Sequence, residues 1–346
     1  MSAGPHRSLK VATASADSSG KIQATADASA ANVVEAVPDC LVCSCPSAPS
    51  VDGLFDTRFG IPGTFSVQRC QQCGMEQLSS RPDAADLKDL YERFYNFSGE
   101  RGTLYTRIRE RFLSSILYRL WIRLDGDISF HTCRGAGCLL DIGCNEGRTL
   151  KRYAANGFTA EGTELNENAA AVARAAGFRV FTGPLEDLIP SVPYDIAVLS
   201  NVLEHALDPK AMLESVRRLL KPGGHIWISC PNRDSWLRSV FRRRWINWHV
   251  PFHISHFSGD ALRKLLGDCG FLPMELRQIT PALWVASSIV ALLFARRGKP
   301  TRQLRNPFLM CGLVLACRLL LFPLLYWGNR VGRGDCLVAV AVKVRD

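Results

Sequence analysis

The first 36 residues lack any continuous apolar run and any regular apolar spacing. A secretory signal needs such a run, so none is predicted, and the alanine- and serine-rich composition predicts a disordered tail over 1–36. Without a signal, the thirteen cysteines do not indicate the disulfide framework of a secreted protein. Several of them lie in apolar runs, which favours reduced thiols in the cytoplasm.

Acidic residues are scarce in the C-terminal part of the chain. Residues 281–346 hold ten Lys and Arg against two Asp, which is +8 of the formal net charge of +10. This positive charge surrounds apolar segments and does not accompany an aromatic-bearing groove, which argues against a nucleic-acid partner. The basic character is therefore a local property of the C-terminal end.

Two C-x-x-C motifs near the N-terminus predict a structural zinc site. The four thiols belong to Cys40, Cys43, Cys70 and Cys73. Two residues between thiolates let both sulfurs reach one ion, and two such turns complete a tetrahedral site. The intervening stretch includes the strand-like GTFSVQRC, so a zinc-ribbon module is predicted over 37–82. The alternatives are free thiols, a redox pair at one motif, or Cys45 as a ligand in place of Cys43.

Helical spacing of apolar residues follows this module. A Pro-Asp start and apolar residues three and four positions apart predict a short helix, and a longer helix is predicted over about 103–124. We expect these linker helices, within 83–130, to pack on the core or to cover a bound cofactor.

From about residue 138 the chain alternates strand-like and helix-like segments, which predicts an α/β domain with a doubly wound parallel sheet. The Rossmann-like domain is predicted over 131–346, with LPMELRQIT as its sixth strand and GDCLVAVAVKV as an antiparallel seventh. Ligands of such sheets bind at the carboxyl ends of the strands. The residues that follow these ends are therefore expected to face one crevice: Asp141–Gly147, Glu164, Leu185, Glu186 and Asn201.

The loop in LLDIGCNEG predicts a nucleotide-like ligand. Gly143 and Gly147 have no Cβ, so the backbone can approach a ligand closely. Asn145 stands where a third glycine would be usual, but asparagine is among the residues that best tolerate left-handed φ. Glu164, 23 residues after Asp141, can accept hydrogen bonds from both hydroxyls of a ribose. The pattern fits an adenosine-containing ligand and would equally suit a nicotinamide enzyme.

Several motifs in order resemble the class I S-adenosylmethionine-dependent methyltransferases, and more narrowly the bacterial branch that carries an N-terminal zinc ribbon. The motifs are LLDIGCNEG, GTELNENAA, YDIAVLSNVLEHALDP, RLLKPGGHIWISCPN and HISHFSGDALRKLLGDCGF. The zinc motifs followed by RPDAADLKDLYERFY also resemble that branch. The resemblance covers roughly 40–280 and the last strand, and Asn145 departs from the usual middle glycine.

The resemblance implies a role for each residue of the crevice. The amino-acid end of S-adenosylmethionine would lie against the loop, in a pocket shaped by Asp141, Gly143, Asn145 and Gly147. Glu164 would hold the ribose, and Asn201 would lie near the methionine portion. Leu185 and Glu186 would border the adenine, with an ordinary loop as the alternative for these two.

Histidines near the predicted crevice are candidates for a general base, because histidine titrates in the useful range and a hydroxyl acceptor benefits from a base. His205 ends NVLEH after the fourth strand, and His249, His253 and His256 lie in NWHVPFHISHF after the fifth. We take His205 and His253 as the candidate catalytic bases. The alternatives are a structural helix-start residue for His205 and a hydrogen-bonded loop clamp for His253 and His256. A metal site built from these histidines lacks a clear carboxylate partner in the sequence.

A long insertion separates the sixth and seventh strands. Residues 282–294 carry no charge, and residues 308–327 carry one, Arg318. The first run is too short to span a bilayer, and Arg318 and Pro323 argue against a simple crossing by the second. The basic segment between the runs suits anionic head groups. We therefore predict a re-entrant or interfacial hairpin over 281–330, with a soluble helical cap as the alternative.

These features together predict a cytoplasmic methyltransferase that associates with the inner face of a membrane through 282–327. The favoured substrate is a lipid-linked saccharide or another amphipathic intermediate, methylated on oxygen. The alternatives are a methyltransferase for a soluble sugar or a quinone precursor, a catalytically silent cofactor-binding scaffold, and a nicotinamide oxidoreductase. The VLEH and LLKPGG segments argue against the oxidoreductase, and the intact loop and ribose acid argue against the scaffold.

Overall fold

The computed structural model describes residues 39–94, 111–112 and 115–344. The predicted tail at 1–36 and part of the helix predicted over 103–124 lie outside these ranges. The strands are, in chain order, β1 (Ser47–Leu54), β2 (Phe65–Cys70), β3 (Glu76–Leu78), β4 (Cys138–Ile142), β5 (Thr159–Thr163), β6 (Val180–Phe181), β7 (Tyr194–Ser200), β8 (Leu220–Pro231), β9 (Ser255–His256), β10 (Phe271–Ile279) and β11 (Cys336–Lys343). The helices that lie wholly within these ranges are α1 (Ala84–Phe94), α2 (Ile116–Asp125), α3 (Arg148–Ala155), α4 (Glu167–Ala175), α5 (Pro209–Leu219), α6 (Trp236–Phe241), α7 (Gly259–Asp268), α8 (Ala282–Phe294) and α9 (Pro307–Arg330).

The strands of the C-terminal domain form one seven-stranded sheet in the order β10-β11-β8-β7-β4-β5-β6. The strands from β4 to β8 pair in parallel, and β11 pairs antiparallel with both β8 and β10. It follows that β10 runs in the same direction as β8, so its carboxyl end lies at the same edge as those of β4, β5 and β7. This confirms the predicted Rossmann-like sheet with an antiparallel seventh strand.

Both faces of this sheet are covered, as is typical of parallel sheets. Successive residues of a strand point to opposite faces. Leu139 of β4 lies in an apolar cluster with side chains of α3 and α4, whereas Leu140 lies in a second cluster with side chains of α5 and α7. The strand β4 is therefore apolar on both sides, and its one acid, Asp141, marks the edge where the loop begins.

Side-chain caps fix the start of two helices that border this edge. Asn166 Oδ1 accepts a hydrogen bond from Ala169 N at the start of α4, and Asp208 Oδ1 accepts one from Ala211 N at the start of α5. Each bond satisfies a backbone N–H that has no partner inside its helix. The helix α3 starts differently, because its N-cap residue is Gly147 and no side chain caps it. The glycine loop itself therefore supplies the start of α3.

The N-terminal module is a four-stranded sheet in the order β1-β2-β3-β9. Its first three strands come from the predicted zinc-ribbon region, but β9 follows the fifth strand of the C-terminal domain. Glu76 and Gln77 of β3 pair antiparallel with His256 and Ser255 of β9. A two-residue strand has too little alternation to be recognised in a sequence, so this pairing was not predicted. The module is thus joined directly to the histidine-rich loop after β8.

The insertion between β10 and β11 forms two apolar helices, α8 and α9, which differ in burial. In α8 the buried side chains are Ala282, Val285, Ala286, Ser288, Val290 and Ala291. In α9 only 22% of the most apolar 18-residue window is buried. The predicted alternative of a helical cap therefore describes α8 better than it describes α9.

The helix α9 is, among the residues that the structure describes, the one helix long and apolar enough to cross a membrane, with a mean hydropathy of 2.4. Length and composition alone are weak evidence, because core helices and signal sequences share them. The strands β10 and β11, which flank the insertion, pair with each other along their length. Both ends of the insertion therefore lie on the same side of any membrane that it contacts.

Arg318, the charge within the second apolar run, is paired and largely buried. Its Nη1 lies 3.5 Å from Oδ1 of Asp125 at the end of α2. Asp125 Oδ1 also accepts a hydrogen bond from Ala282 N, at 2.9 Å, where α8 begins. The carboxylate thus ties α2 to both helices of the hairpin.

Asp125→Ala is expected to lower the free energy of unfolding by about 3 kcal/mol, because it leaves the Arg318 guanidinium buried without its partner. Urea unfolding measures this change. Arg123→Ala, on the exposed side of α2, is the matched control and should change the free energy by less than about 0.5 kcal/mol. A loss below about 1 kcal/mol for Asp125→Ala would mean that water screens the pair as at a protein surface.

Candidate active site and metal centres

The loop after β4 has the backbone conformation of a glycine-rich loop. Gly143, Asn145 and Gly147 have φ angles of 74°, 51° and 77°. A Cβ at Gly147 would lie 2.8 Å from the Cβ of Ala173, and one at Gly143 would lie 3.0 Å from Cγ2 of Val202. The two glycines are therefore needed for space as well as for φ, whereas asparagine tolerates the left-handed region between them.

The Glu164 carboxylate joins this loop to the start of α4. Its Oε2 accepts a hydrogen bond from Asn145 N and its Oε1 accepts one from Asn166 N, both at 2.9 Å. The sequence predicted a ribose as the partner of Glu164 and gave no indication of these two bonds. Each carboxylate oxygen can accept a further bond, so the half-buried side chain can also bind a ribose.

Asp141 lies buried beneath the loop. Its Oδ2 accepts a hydrogen bond from Oγ1 of Thr149, in the first turn of α3. Burial raises the pKa of Asp141 to about 7, the bond from Thr149 opposes this rise, and the nearby charge of Glu164 adds to it. Asp141 thus fixes the loop against α3, and its contact with a ligand stays a prediction.

Two further segments reach the same edge of the sheet. Leu185 is half-buried and Glu186 is exposed in a 3-10 turn after β6. Asn201 follows β7 with a φ of 55°, and its Oδ1 is buried without a hydrogen-bond partner among the described residues. A buried acceptor without a partner is costly. Asn201 therefore fits a hydrogen-bond donor of a cofactor bound in the crevice.

Three of the histidines form a cluster after β7 and β8. One nitrogen from each of His205, His249 and His253 lies within 4.8 Å of the other two. Oη of Tyr91, in α1, lies 2.8 Å from Nδ1 of His205. The structure brings both candidate bases into one site, and their catalytic role stays a prediction. Tyr91 and His249 are neighbours to which the sequence analysis gave no role.

Burial keeps these imidazoles neutral. It lowers the pKa of His205 to about 4 and holds the pKa of His249 and His253 well below the usual value, and the positive charge of Arg58 adds to the effect in each case. His253 Nδ1 lies 2.8 Å from the Asn247 carbonyl oxygen. A carbonyl only accepts, so Nδ1 carries the proton and Nε2 has a lone pair. The Nδ1 side of His253 is therefore bound to the loop, as the alternative of a loop clamp predicted, whereas Nε2 keeps its lone pair.

Glu204 is a carboxylate that the sequence analysis missed beside these histidines. Its side chain is 1% exposed, and its Oε1 lies 3.9 Å from Nε2 of His253. Neither carboxylate oxygen has a hydrogen-bond partner within the described ranges. The expectation that the histidines lack a carboxylate partner is therefore wrong. The glutamate is visible in NVLEH, directly before His205. Adjacent side chains usually point in different directions, so Glu204 was not expected to lie beside the histidines.

The four predicted zinc ligands form one cluster. Their sulfurs lie within 4.8 Å of one another, with Cys40 and Cys73 at 3.5 Å and Cys43 and Cys70 at 3.4 Å. Sulfurs bound to one tetrahedral zinc at about 2.3 Å lie about 3.8 Å apart, so the spacing fits. Disulfide sulfurs lie only about 2.05 Å apart. The Cys45 thiol instead donates to the Cys43 carbonyl oxygen, so it does not replace Cys43 in the cluster.

Comparison with known proteins decides the family. A family model described as a methyltransferase domain matches residues 105–276. An uncharacterised protein of Methanocaldococcus jannaschii is 32% identical over 149 residues, which cover 43% of this chain and 70% of that protein. The ubiquinone biosynthesis O-methyltransferase of Cronobacter sakazakii is 29% identical over 153 residues, which cover 41% of this chain and 63% of that enzyme. The chain belongs to the class I S-adenosylmethionine-dependent methyltransferases.

This membership makes S-adenosylmethionine the cofactor of the methyltransferase. The alternatives of a nicotinamide oxidoreductase and of a catalytically silent scaffold are therefore set aside. The chain spans less than two thirds of the length of the Cronobacter enzyme. Among solved structures, an S-adenosylmethionine-dependent methyltransferase from Mesorhizobium loti is 18% identical with a TM-score of 0.41, covering 63% of this chain and 99% of that one.

Proposed function

We propose that this methyltransferase methylates an oxygen of an amphipathic acceptor at the inner surface of a membrane, with a lipid-linked saccharide as the favoured acceptor. The observation that carries the proposal is the exposed apolar surface of α9. Phe308 is 89% exposed, Leu320 is 80% exposed and Trp327 is 60% exposed. The helix α2 exposes Ile116 and Leu117 as well. Large exposed apolar surfaces are rare on soluble monomers and mark contacts with membranes or proteins.

The hairpin begins at the cofactor edge of the sheet, because α8 follows the carboxyl end of β10. A cavity of about 420 Å³ lies between α8, the start of α9 and Arg58, and its lining includes Leu283, Trp284, Arg305 and Met310. An apolar wall with two guanidinium groups suits an amphipathic molecule that carries an anionic group. Arg58 also lowers the pKa values of the histidine cluster. The ring of Phe59, the residue after Arg58, lies 5.8 Å from the ring of His249, so the cavity is close to the histidine cluster.

The segment between the two helices supports contact with the cytoplasmic leaflet. Five basic side chains there are exposed: Arg296, Arg297, Lys299, Arg302 and Arg305. Each basic residue near an anionic surface contributes about 1 kcal/mol. Anionic lipids are concentrated in the cytoplasmic leaflet. An interfacial hairpin at that leaflet would hold the acceptor cavity next to the membrane.

The residues of the crevice would act mainly by positioning. S-adenosylmethionine supplies a methyl group on a positively charged sulfur. Glu164 would accept hydrogen bonds from its ribose, and Asn201 Oδ1 would accept one from the methionine portion. Much of the rate of such a transfer comes from holding the acceptor oxygen in line. His205 and His253 stay the predicted bases for the proton of the acceptor hydroxyl.

The names of the ubiquinone biosynthesis O-methyltransferases support oxygen as the acceptor atom, and they favour a quinone precursor as a second candidate. Protein bound to anionic vesicles can be offered an extracted lipid-linked saccharide, a phenolic quinone precursor and a soluble sugar in parallel. We expect mass spectrometry and NMR to find a new methoxy group on the lipid-linked saccharide. A methylated phenol would favour the second candidate. Methylation on nitrogen or carbon, or of the soluble sugar alone, would contradict the proposal.

We further propose that Cys40, Cys43, Cys70 and Cys73 bind one structural zinc ion. Each motif also offers a backbone N–H to a sulfur, from Val42 to Cys40 at 3.4 Å and from Gln72 to Cys70 at 3.3 Å. Such bonds stabilise negative sulfur. Zinc binding here would contribute directly to the folding free energy of the module.

Cys70→Ser is expected to remove this zinc and to loosen the sheet formed by β1, β2 and β3. The dissociation constant for S-adenosylmethionine should change less than threefold, because Glu164 and the glycine loop lie on another sheet. Metal analysis and calorimetry measure the two effects. Cys45→Ser is the matched control and should keep the zinc. Full zinc retention by Cys70→Ser, or a Cys40–Cys73 disulfide in the cell, would exclude this site.

A further inference from the structure

We propose that His205, His249 and His253 bind a second divalent metal ion of the zinc class, with Glu204 as the accompanying carboxylate. Three imidazoles converge within 4.8 Å in a buried position. Both oxygens of the neighbouring carboxylate are buried without a hydrogen-bond partner in the described part of the chain. Burying an acid without a partner is costly, and a cation would supply that partner. This site goes beyond the proposed function and does not depend on which acceptor the enzyme uses. A metal bound here would replace the predicted role of His205 and His253 as bases, because a nitrogen lone pair that binds a metal cannot also accept a proton.

The distances inside the cluster fit a common ion. His253 Nε2 lies 3.2 Å from His249 Nδ1. Two nitrogens bound to one tetrahedral zinc at about 2.05 Å lie about 3.3 Å apart. The lone pair of His253 is on Nε2, since Nδ1 donates to the Asn247 carbonyl oxygen. The His253 lone pair is therefore on the nitrogen that faces His249 and Glu204.

The surroundings of His253 resemble the outer shell of a metal site. A histidine that binds a metal usually donates its other N–H to a carbonyl or a carboxylate, which fixes the ring. His253 donates to Asn247, and Asn247 Nδ2 donates to Oδ2 of Asp335 at 3.0 Å. Asp335 is fully buried and also accepts bonds from Ser235 and Trp245. A chain of buried bonds therefore anchors the ring to Asp335, the residue before β11.

The ligand set selects the class of metal. Imidazole suits zinc and related transition metals, whereas magnesium and calcium prefer oxygen ligands. Arg58 nearby repels a cation, whereas the Glu204 carboxyl attracts one once it has lost its proton. The cluster also adjoins the cofactor loop, since His205 comes three residues after Val202, whose side chain borders Gly143. The ion would therefore lie on the side of the crevice where the acceptor is proposed to bind.

Metal content and ligand type of the full chain test the proposal directly. Wild-type protein is incubated with excess Zn²⁺, desalted, and examined by elemental analysis and zinc X-ray absorption. We expect two zinc ions per chain and a coordination shell that contains nitrogen as well as sulfur. A single zinc with only sulfur ligands would overturn the proposal, and this readout requires no catalytic activity.

Variants assign the second ion to the cluster. The double variant His249→Ala and His253→Ala should retain one zinc, with only sulfur ligands. His225→Ala, which removes an exposed histidine, is the matched control and should retain two. Glu204→Gln keeps the side-chain shape and should weaken this zinc at least tenfold in competition with a chelator. Unchanged zinc content in the double variant would place the nitrogen ligands elsewhere and overturn the assignment.

The variant Cys70→Ser gives a test that does not depend on whether the double variant folds. Cys70→Ser should lose the sulfur-bound zinc and keep one zinc with nitrogen and oxygen ligands. Because the cysteine cluster is then disabled, the spectrum reports the histidine site alone. Loss of all zinc from a Cys70→Ser protein that still binds S-adenosylmethionine would contradict the proposal.

Discussion

Glu164→Ala should lower the affinity for S-adenosylmethionine at least tenfold. The change would remove the two charge-assisted bonds that Glu164 is proposed to make to the ribose, each contributing about 1.5–3 kcal/mol before compensation. It also removes the bonds that hold Asn145 N and Asn166 N. About 1.4 kcal/mol corresponds to a tenfold change in affinity. Even partial loss of these contacts therefore reaches the expected effect, and calorimetry measures it.

The matched control is Glu161→Ala on the same strand. Glu161 accepts hydrogen bonds from Arg179 and from Tyr194, away from the glycine loop. Its loss should leave the affinity for S-adenosylmethionine within twofold. An unchanged affinity of a folded Glu164→Ala protein would show that the ribose is held elsewhere.

Polar substitution of the exposed face of α9 should abolish stable binding to anionic vesicles. The variant changes Phe308, Leu319, Leu320 and Trp327 to glutamine. These side chains are largely exposed, so the fold and cofactor binding should persist. Apolar burial contributes about 25 cal/mol per Å² and supplies most of the membrane affinity. Flotation in a density gradient measures binding, and activity on a lipid-linked acceptor should fall far more than activity on a water-soluble analogue.

The control changes the same number of exposed apolar residues elsewhere. Ile189, Val192, Leu272 and Met274 are also exposed, and their replacement by glutamine should leave flotation intact. Replacing the five basic residues between α8 and α9 with glutamine should weaken binding and reduce its salt sensitivity without removing it. If wild-type protein does not bind anionic vesicles, the hairpin is a structural cap and the membrane proposal loses its support.

Local chemistry explains why the cofactor loop could be predicted from the sequence. Glycine and asparagine are the residues that best tolerate a positive φ, and Gly143, Asn145 and Gly147 all have one. The spacing of the cysteines likewise limits how four sulfurs can meet. The apolar runs of the insertion are also local features, so two helices could be foreseen. Each of these predictions depends on residues that are close in sequence.

Features that depend on distant contacts could not be predicted in the same way. Arg318 argued against a simple membrane crossing, and its pairing with Asp125, far away in the sequence, could not be foreseen. The burial of Glu204 could not be predicted, because it depends on the loop after β8. That loop covers Glu204, and Ile254 N in it donates to the Glu204 backbone carbonyl. The different burial of α8 and α9 depends on how much of each helix is covered by the rest of the fold. These are consequences of packing, which sequence periodicity does not contain.

Transfer of a radiolabelled methyl group shows directly whether the acceptor is an amphipathic molecule at the membrane. Protein on anionic vesicles is incubated with labelled S-adenosylmethionine and a bacterial extract that contains lipids and soluble sugars, and the products are separated into organic and aqueous phases. We expect label in an amphipathic product of the organic phase. The α9 variant should lose this label, and the control variant at Ile189, Val192, Leu272 and Met274 should keep it. Label confined to the aqueous phase, or equal labelling by the α9 variant, would contradict the membrane proposal.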